Sequence, residues 1–529
     1  MVDHNNEFFD LSRRKFGRIL VGGVGSFALG IPGCRSATDH LTKPNKQERW
    51  YTTGKSIQGR YKVDIVVVGA GLSGLTAARI LTKQKKNVLL LEARDRIGGR
   101  MYLENTLNDA VLDMGGQWVG DSQIAILHLL EELRINRFLS YGVGRSIHSW
   151  NGVKTAFDGD VARLLEGNCR KPYLANFEDE RACLTTKNSL ADCTGNKEQE
   201  RIWRKFITIS QSVSPEEPWK TKDAKLLDAI TFQTWLENQG AKVYSQWLSG
   251  MLSRIGGSGG FEPSEVSLLH MAWTQRVAPQ SDAPEKWLID GGAGQIPAML
   301  ANDIHNHIVL SAHVNSIEQH SNGVTVRTNG LVVQAQRVIV AIPPPLRAGI
   351  TFSPALPPTH MGFIQRSPMG SISKIHAVYP EAFWRKQCLS GIGTGNLQTC
   401  EFIADSSPEN GKPGILTSFI AGSRNIELSN KSKQEIRNLV LMDFAHFLGP
   451  NVWKEVQFVH VNWNQEKWTS GAFTTYLPPG VWSTYSSGWR DPVGNVFWAG
   501  TETSEYWPGY FDGAVRAGLR AAEAARQSM

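Results

Sequence analysis

At 529 residues the chain is too long for one compact core of ordinary size, so two lobes with a ligand between them are expected. With 41% apolar and 20% charged residues and 51 glycines it reads as a globular protein with many close backbone approaches, not a disordered one. The formal charge of +7 comes with no basic stripe and no nucleic-acid module, so nucleic acid is excluded as a partner.

Ser12, Arg13, Arg14, Lys15 and Phe16 precede an apolar, glycine-rich run over 19–32 that ends at Gly33 and Cys34. A charged start, an apolar stretch too short for a stable membrane span and a small residue at a cleavage point are the parts of an export signal. The paired arginines resemble a twin-arginine signal, a bacterial route for proteins already folded around a cofactor, so residues 1–34 predict a periplasmic destination. A lipid anchor on Cys34, and with it association with a membrane surface, is the alternative, although proline before the glycine fits it poorly. Residues 35–60 are polar and lysine-rich and read as a linker. Cys169, Cys183, Cys193, Cys388 and Cys400 lack the paired spacing of a zinc or dithiol site, so no metal is expected and they read as isolated thiols or an incidental disulfide. In an exported protein the three from 169 to 193 could tie a surface insertion together.

The folded body begins near Tyr61. Residues 64–68 form a short β-branched run suited to a buried parallel strand, followed by glycines, a helical pattern over 75–81 and a second buried strand over 87–91. This is a dinucleotide-binding crossover. Within it Gly69, Gly71 and Gly74 occupy the positions of GxGxxG, with Ser73 inside the motif. The first glycine permits the turn, the second lets backbone approach a pyrophosphate, and the third lets helix pack on sheet. Glu92 ends the second strand, where a carboxylate accepts hydrogen bonds from ribose hydroxyls.

That motif alone does not separate FAD from NAD. Glu92, Ala93 and Arg94 lead into Gly98, Gly99 and Arg100, a second pair of glycines flanked by arginines that suits further phosphate or the flavin ring edge and that NAD does not need. Residues 121–280 turn helical and aromatic, interrupted by a polar insertion over 167–195. Gly291, Gly292, Ala293 and Gly294 return to the flavin lobe, and a strand over 337–342 is stopped by Pro343, Pro344 and Pro345. Residues 352–450 alternate strand-like and helical runs. Gly500, Thr501 and Glu502 offer another phosphate or ribityl contact ahead of a small-residue helix over 513–525. The fold class is α/β (α+β), a Rossmann-like FAD-binding domain (61–120, 281–350 and 461–529) interleaved with a mixed-sheet and helical substrate domain (121–280 and 351–460).

Taken together, the blocks over 64–100, 113–120, 291–295, 341–344, 373–374, 474–480 and 499–515 resemble the flavin-containing monoamine oxidases. The resemblance implies that Lys374 lies beneath the flavin, its ammonium or a bound water close to N5, and that Trp463 lies against the isoalloxazine. Gly116, Gln117 and Trp118 fall in the cofactor-binding block over 113–120, and Val314 closes on the adenine side. Phe473 and Tyr510 are the two aromatic rings that sandwich the amine, with phenylalanine in place of the usual tyrosine at 473. Ala472 stands where the animal enzymes carry the cysteine that bonds the flavin, so FAD is expected to be non-covalent. Related amino-acid oxidases carry an arginine beside the double glycine, where this chain has Gln117 and Trp118.

The expected reaction is therefore hydride transfer from an amine α-carbon to flavin N5. The imine then hydrolyses to an aldehyde or ketone, and electrons pass to oxygen, giving H2O2, or to a cytochrome or quinone. An L-amino-acid oxidase or dehydrogenase and a non-catalytic flavin-binding homologue are the alternatives. Pairing with a second copy as a homodimer is left open.

Overall fold

Four β-branched residues buried on both faces make the first strand, β1 (Ile65–Val68). Ile65 and Val67 point into one apolar cluster and Val66 and Val68 into another, the period of two that a doubly covered sheet requires. Each such side chain contributes roughly 1.5–3 kcal/mol on burial. The computed structural model describes residues 59–105, 111–159, 161–167, 194–256 and 259–529, all within one compact unit, Arg49–Met529. The export leader, Cys34, nearly all of the linker and most of the insertion fall outside the described residues.

From β1 the chain turns into α1 (Leu72–Lys83) and returns as β2 (Val88–Leu91). With β3 (Ile308–Val309), β4 (Arg337–Val340) and β5 (Val496–Trp498) these form a parallel sheet of order β3-β2-β1-β4-β5. The final helix α2 (Phe511–Gln527) packs on α1 so closely that a Cβ on Gly518 would sit 2.4 Å from Ser73 O. Asp512, in the first turn of α2, accepts from the backbone N–H of Ala125 and Ile126 at 2.5 and 3.1 Å, and so caps the helix Ile124–Leu133. That helix, placed in the second lobe by the sequence, therefore packs in the core of the nucleotide sheet.

The second face of the parallel sheet is covered by a five-stranded sheet running Gly59–Lys62, Leu331–Ala335, Gly323–Thr328, Val314–His320, Thr351–Ser353. The second lobe is built on a seven-stranded sheet whose strand Ile372–Tyr379, second from one edge, is buried at all eight positions. Helix Lys433–Leu448 covers one face, opened by a capping box between Ser432 and Glu435. A helical layer with Lys197–Ser212 and Leu268–Val277 buries a cluster of Trp273, Trp482 and Trp489, with ring centroids 5.2 to 5.6 Å apart. Residues 476–489, which the sequence groups with the flavin lobe, join this cluster because their aromatics find partners there. Of the two alternatives the sequence leaves for the cysteines, Cys388 takes the disulfide and Cys400 the free, buried thiol. The other cysteines lie outside the described residues.

Since no space exists for a methyl group between α1 and α2, Gly518→Ala is expected to destabilise the protein by about 1–3 kcal/mol through overpacking. Thermal unfolding followed by flavin fluorescence tests this, and an unchanged melting temperature would refute the close contact.

Candidate active site

The turn between β1 and α1 shows why its glycines differ in role. Gly69 has φ +100°, and a Cβ there would lie 2.8 Å from Ala341 O. On Gly74 a Cβ would come within 1.9 Å of Gly69 O, so this position holds helix against turn. By contrast a Cβ on Gly71 would meet nothing within 4 Å, and no side-chain oxygen caps the helix that starts there. Its open face borders a cavity of ≈ 330 Å³. Bare backbone and a helix N-terminus facing a cavity are what a pyrophosphate needs.

Glu92, at the end of β2, is buried and accepts from Ala70 N at 2.7 Å and Arg94 N at 2.9 Å. Its carboxylate locks the turn and keeps lone pairs for ribose hydroxyls. Arg94 is tied to Glu466 and, at 2.7 Å, to Thr469 Oγ1. Arg100 donates to Phe473 O and, at 2.7 Å, to Glu502 Oε1. Ser73 Oγ accepts from Gly500 N at 3.0 Å, joining the first crossover to the last.

The same cavity is lined by Gly69, Gly71, Ser73, Glu92, Ala93, Arg94, Gly98, Gly99, Arg100, Gly116, Val314, Trp463, Gly500, Thr501, Phe473 and Tyr510. Four of the sequence-predicted cofactor residues are not on its wall. Gly74 packs behind the turn, Glu502 stands behind Arg100, and Gln117 and Trp118 face the second lobe. The cavity wall also contains His313 and Trp468, whose rings lie 4.6 Å apart beside Val314, a flat surface suited to adenine. No motif marks them in the sequence. A glycine cradle, a carboxylate at the ribose position and flat rings at one end together fit FAD.

Lys374 also lies behind the wall. It is 1% exposed, and its Nζ donates to Asp113 O at 2.6 Å, Gly115 O at 2.7 Å and Gln117 Oε1. Gly115 lines the cavity, so the ammonium and the cavity face opposite sides of one stretch of backbone. Burial pushes Lys374 toward its neutral form, and the attraction of Asp113 opposes this. Asp113 is pushed up by burial, with bonds from Ala293 and Gly294 acting the other way. The Trp463 indole donates to Met114 O at 3.0 Å, which sets its ring against the cavity.

At the far end Phe473 meets Phe419 edge-on, with centroids 5.7 Å apart, and Phe419 in turn meets Trp118 at 6.3 Å. Tyr510 packs edge-on against Trp507 at 5.1 Å, and burial followed by Glu285 holds its phenol well above the usual range, hence neutral. Ala472 lines the cavity beside Phe473. Beyond Phe419 lies a second cavity of ≈ 210 Å³ that includes Arg254, Glu401 and Arg424. Arg254 is held by Glu401 at 2.7 Å, while Arg424 donates to the Leu397 and Gln398 carbonyls.

Comparison with known proteins agrees with this geometry. Residues 72–526 match the model of the flavin containing amine oxidoreductases, and residues 15–115 match that of the pyridine nucleotide-disulphide oxidoreductases. Over 462 residues the chain is 37% identical to an L-amino acid dehydrogenase of Synechocystis sp., covering 87% of this chain and 94% of that one. It is 32% identical over 472 residues to flavin-containing amine oxidase B of Sus scrofa, covering 87% of this chain and 85% of that one. Wild-type putrescine oxidase bound to putrescine shares its fold with a TM-score of 0.77 at 27% identity, over 89% of this chain and 100% of that one. The chain therefore belongs to the flavin-containing amine oxidoreductases, and its cofactor is FAD.

Proposed function

We propose that the chain oxidises a small amine at the carbon next to nitrogen, with FAD held by non-covalent contacts alone, and that it works in the periplasm after export. Bound FAD supplies the acceptor for the hydride that leaves that carbon. The chain's residues supply the approach: Phe473 and Tyr510 present ring faces and edges that orient an amine and exclude water from it. The observation that carries the reading is the state of the arginines on the cofactor cavity. Arg94 is paired with Glu92 and Glu466 and Arg100 with Glu502, so neither is free to hold an α-carboxylate. Gln117, where related amino-acid oxidases carry an arginine, faces away from the cavity toward Lys374. The imine product hydrolyses in solution to an aldehyde or ketone, and oxygen, a cytochrome or a quinone takes the electrons.

A second reading, oxidation of an L-amino acid, is favoured by the 37% identical dehydrogenase and by Arg424, which lines the second cavity and donates to the Leu397 and Gln398 backbone carbonyls. Anaerobic mixing with monoamines, diamines, alkaloid amines and amino acids separates the two. Bleaching of the flavin by amines is expected, and bleaching by amino acids alone, lost in Arg424→Ala, would move the assignment to the second reading. Tyr510→Ala is expected to lower kcat/KM for the best amine roughly tenfold, the worth of one desolvated ring contact.

Ala472 has no atom that can bond the flavin. Denaturation followed by ultrafiltration should therefore release all the yellow colour into the filtrate, and colour retained with the polypeptide would disprove it. Because a protonated amine has no free lone pair, kcat/KM should rise with pH across roughly pH 6 to 10. A flat profile would count against oxidation of the neutral amine.

A further inference from the structure

Lys374 is one corner of a closed loop of side chains. Gln117 turns its Oε1 to Nζ and donates from Nε2 to Ser406 Oγ at 2.7 Å. Ser406 and Thr417 share a hydrogen bond of 2.7 Å, and Thr417 Oγ1 meets His376 Nδ1 at 2.8 Å. His376 Nε2 lies 3.0 Å from Asp113 O, the same carbonyl that accepts from Lys374, which closes the ring. Lys374, Gln117, His376 and Thr417 are each no more than 2% exposed.

The protons in this ring follow from what each atom is able to do. A backbone carbonyl only accepts, so His376 carries its proton on Nε2. Thr417 Oγ1, 2.8 Å from His376 Nδ1, donates its one hydrogen to Ser406 Oγ. Ser406 Oγ accepts it and takes the Gln117 amide on its other lone pair. This fixes the amide orientation, because Gln117 must present oxygen to Lys374. A cationic His376 would set a second cation beside the first. Burial, followed by Lys374, pushes the imidazole down to about 3, so the neutral arrangement holds.

We infer that Gln117, Ser406, Thr417 and His376 are positioning residues that hold Lys374 as an ammonium behind the cofactor cavity. With Asp113 O, Gly115 O and Gln117 Oε1 as partners, all three ammonium protons are used. A neutral amine would have to turn its lone pair toward one of these oxygens. The ring thus favours the charged form that burial disfavours. The titratable groups facing Nζ are the Asp113 carboxyl, at the end of strand Val111–Asp113, and His376 on the lysine's own strand. The Trp118 and Phe419 rings, 5.5 and 5.8 Å from Nζ, cover the remaining side.

The inference extends the proposed amine oxidation, but its test needs no substrate. The holoenzyme's oxidised flavin spectrum and midpoint potential are followed against pH, over roughly pH 5 to 11, a window that spans the ordinary lysine value and its lowering by burial. A transition that disappears in Lys374→Met identifies the ammonium. In Gln117→Leu and Ser406→Ala the transition is expected to move down by about one pH unit, the tenfold effect of losing one charge-assisted hydrogen bond, with a lower potential at fixed pH. Ser406→Thr, which keeps the hydroxyl, should restore it. Should Gln117→Leu fail to fold, the smaller Ser406→Ala change decides. A transition that stays in place in these variants while only the melting temperature falls would make the ring a packing feature and overturn the inference. If the transition moves but no amine bleaches the flavin, the ring stands and the amine reading fails.

Discussion

One stretch of backbone, residues 113–117, joins parts of the chain that are far apart in sequence. The Asp113 carboxylate receives Ala293 N at 2.9 Å and Gly294 N at 3.3 Å, which fixes the loop re-entering the flavin lobe. Its carbonyl receives Lys374 and His376 from strand Ile372–Tyr379 of the second lobe. One residue on, Met114 O receives the Trp463 indole, and Gly115 O receives Lys374 again. The opposite face of Gly115 and Gly116 is cavity wall. A Cβ at Gly115 would lie 1.8 Å from Arg100 O, and one at Gly116 would lie 2.6 Å from Phe511, so this strand of wall admits no side chain at either place. Cofactor cavity, buried cation and inter-lobe contact therefore depend on the same few peptide groups.

That arrangement divides the cavity by chemistry. Toward the pyrophosphate, contacts come from backbone and from carboxylates fixed by other hydrogen bonds, so they are oriented before any ligand arrives. Toward the substrate end, contacts come from rings locked edge-on against other rings, Phe473 by Phe419 and Tyr510 by Trp507. Neither half relies on a flexible charged side chain reaching into solvent. The arginines that border the cavity serve the protein as much as a ligand, since Arg100 also holds the Phe473 carbonyl and so links phosphate end to substrate end.

What was legible in the sequence was local. The glycine turn, β1, β2 and Glu92 fall within thirty residues, and spacing alone sets their geometry. Strand Ile372–Tyr379 and helix Lys433–Leu448 stand among the alternating strand-like and helical runs legible over 352–450, being long and strongly patterned. Ser406 and Thr417 carried no signal. They become partners of Lys374 only through sheet register, which sets His376 opposite Thr417 and Lys374 opposite Phe419. No periodicity predicts which strand pairs with which. Helix Ile124–Leu133 was misplaced for a related reason, since its cap is Asp512, more than three hundred residues away. Sequence resemblance put Gln117 and Trp118 with the cofactor because they follow the double glycine, whereas their partners Lys374, Ser406 and Phe419 hold them toward the second lobe.

The orientation of Gln117 ties substrate choice to the buried cation. An arginine at this position could not replace the Gln117 acceptor, and turned toward Lys374 it would bring a second positive charge to Nζ. The acceptor ring and an arginine at residue 117 are thus mutually exclusive. A chain that keeps Lys374 charged through Gln117 has to find any carboxylate partner elsewhere. The two arginines that line the cofactor cavity, Arg94 and Arg100, are already paired, and Arg424 lies beyond Phe419. In the proposed amine oxidation, selection against a carboxylate would rest not on the aromatic rings, which accept either class, but on the residue after the double glycine serving the lysine.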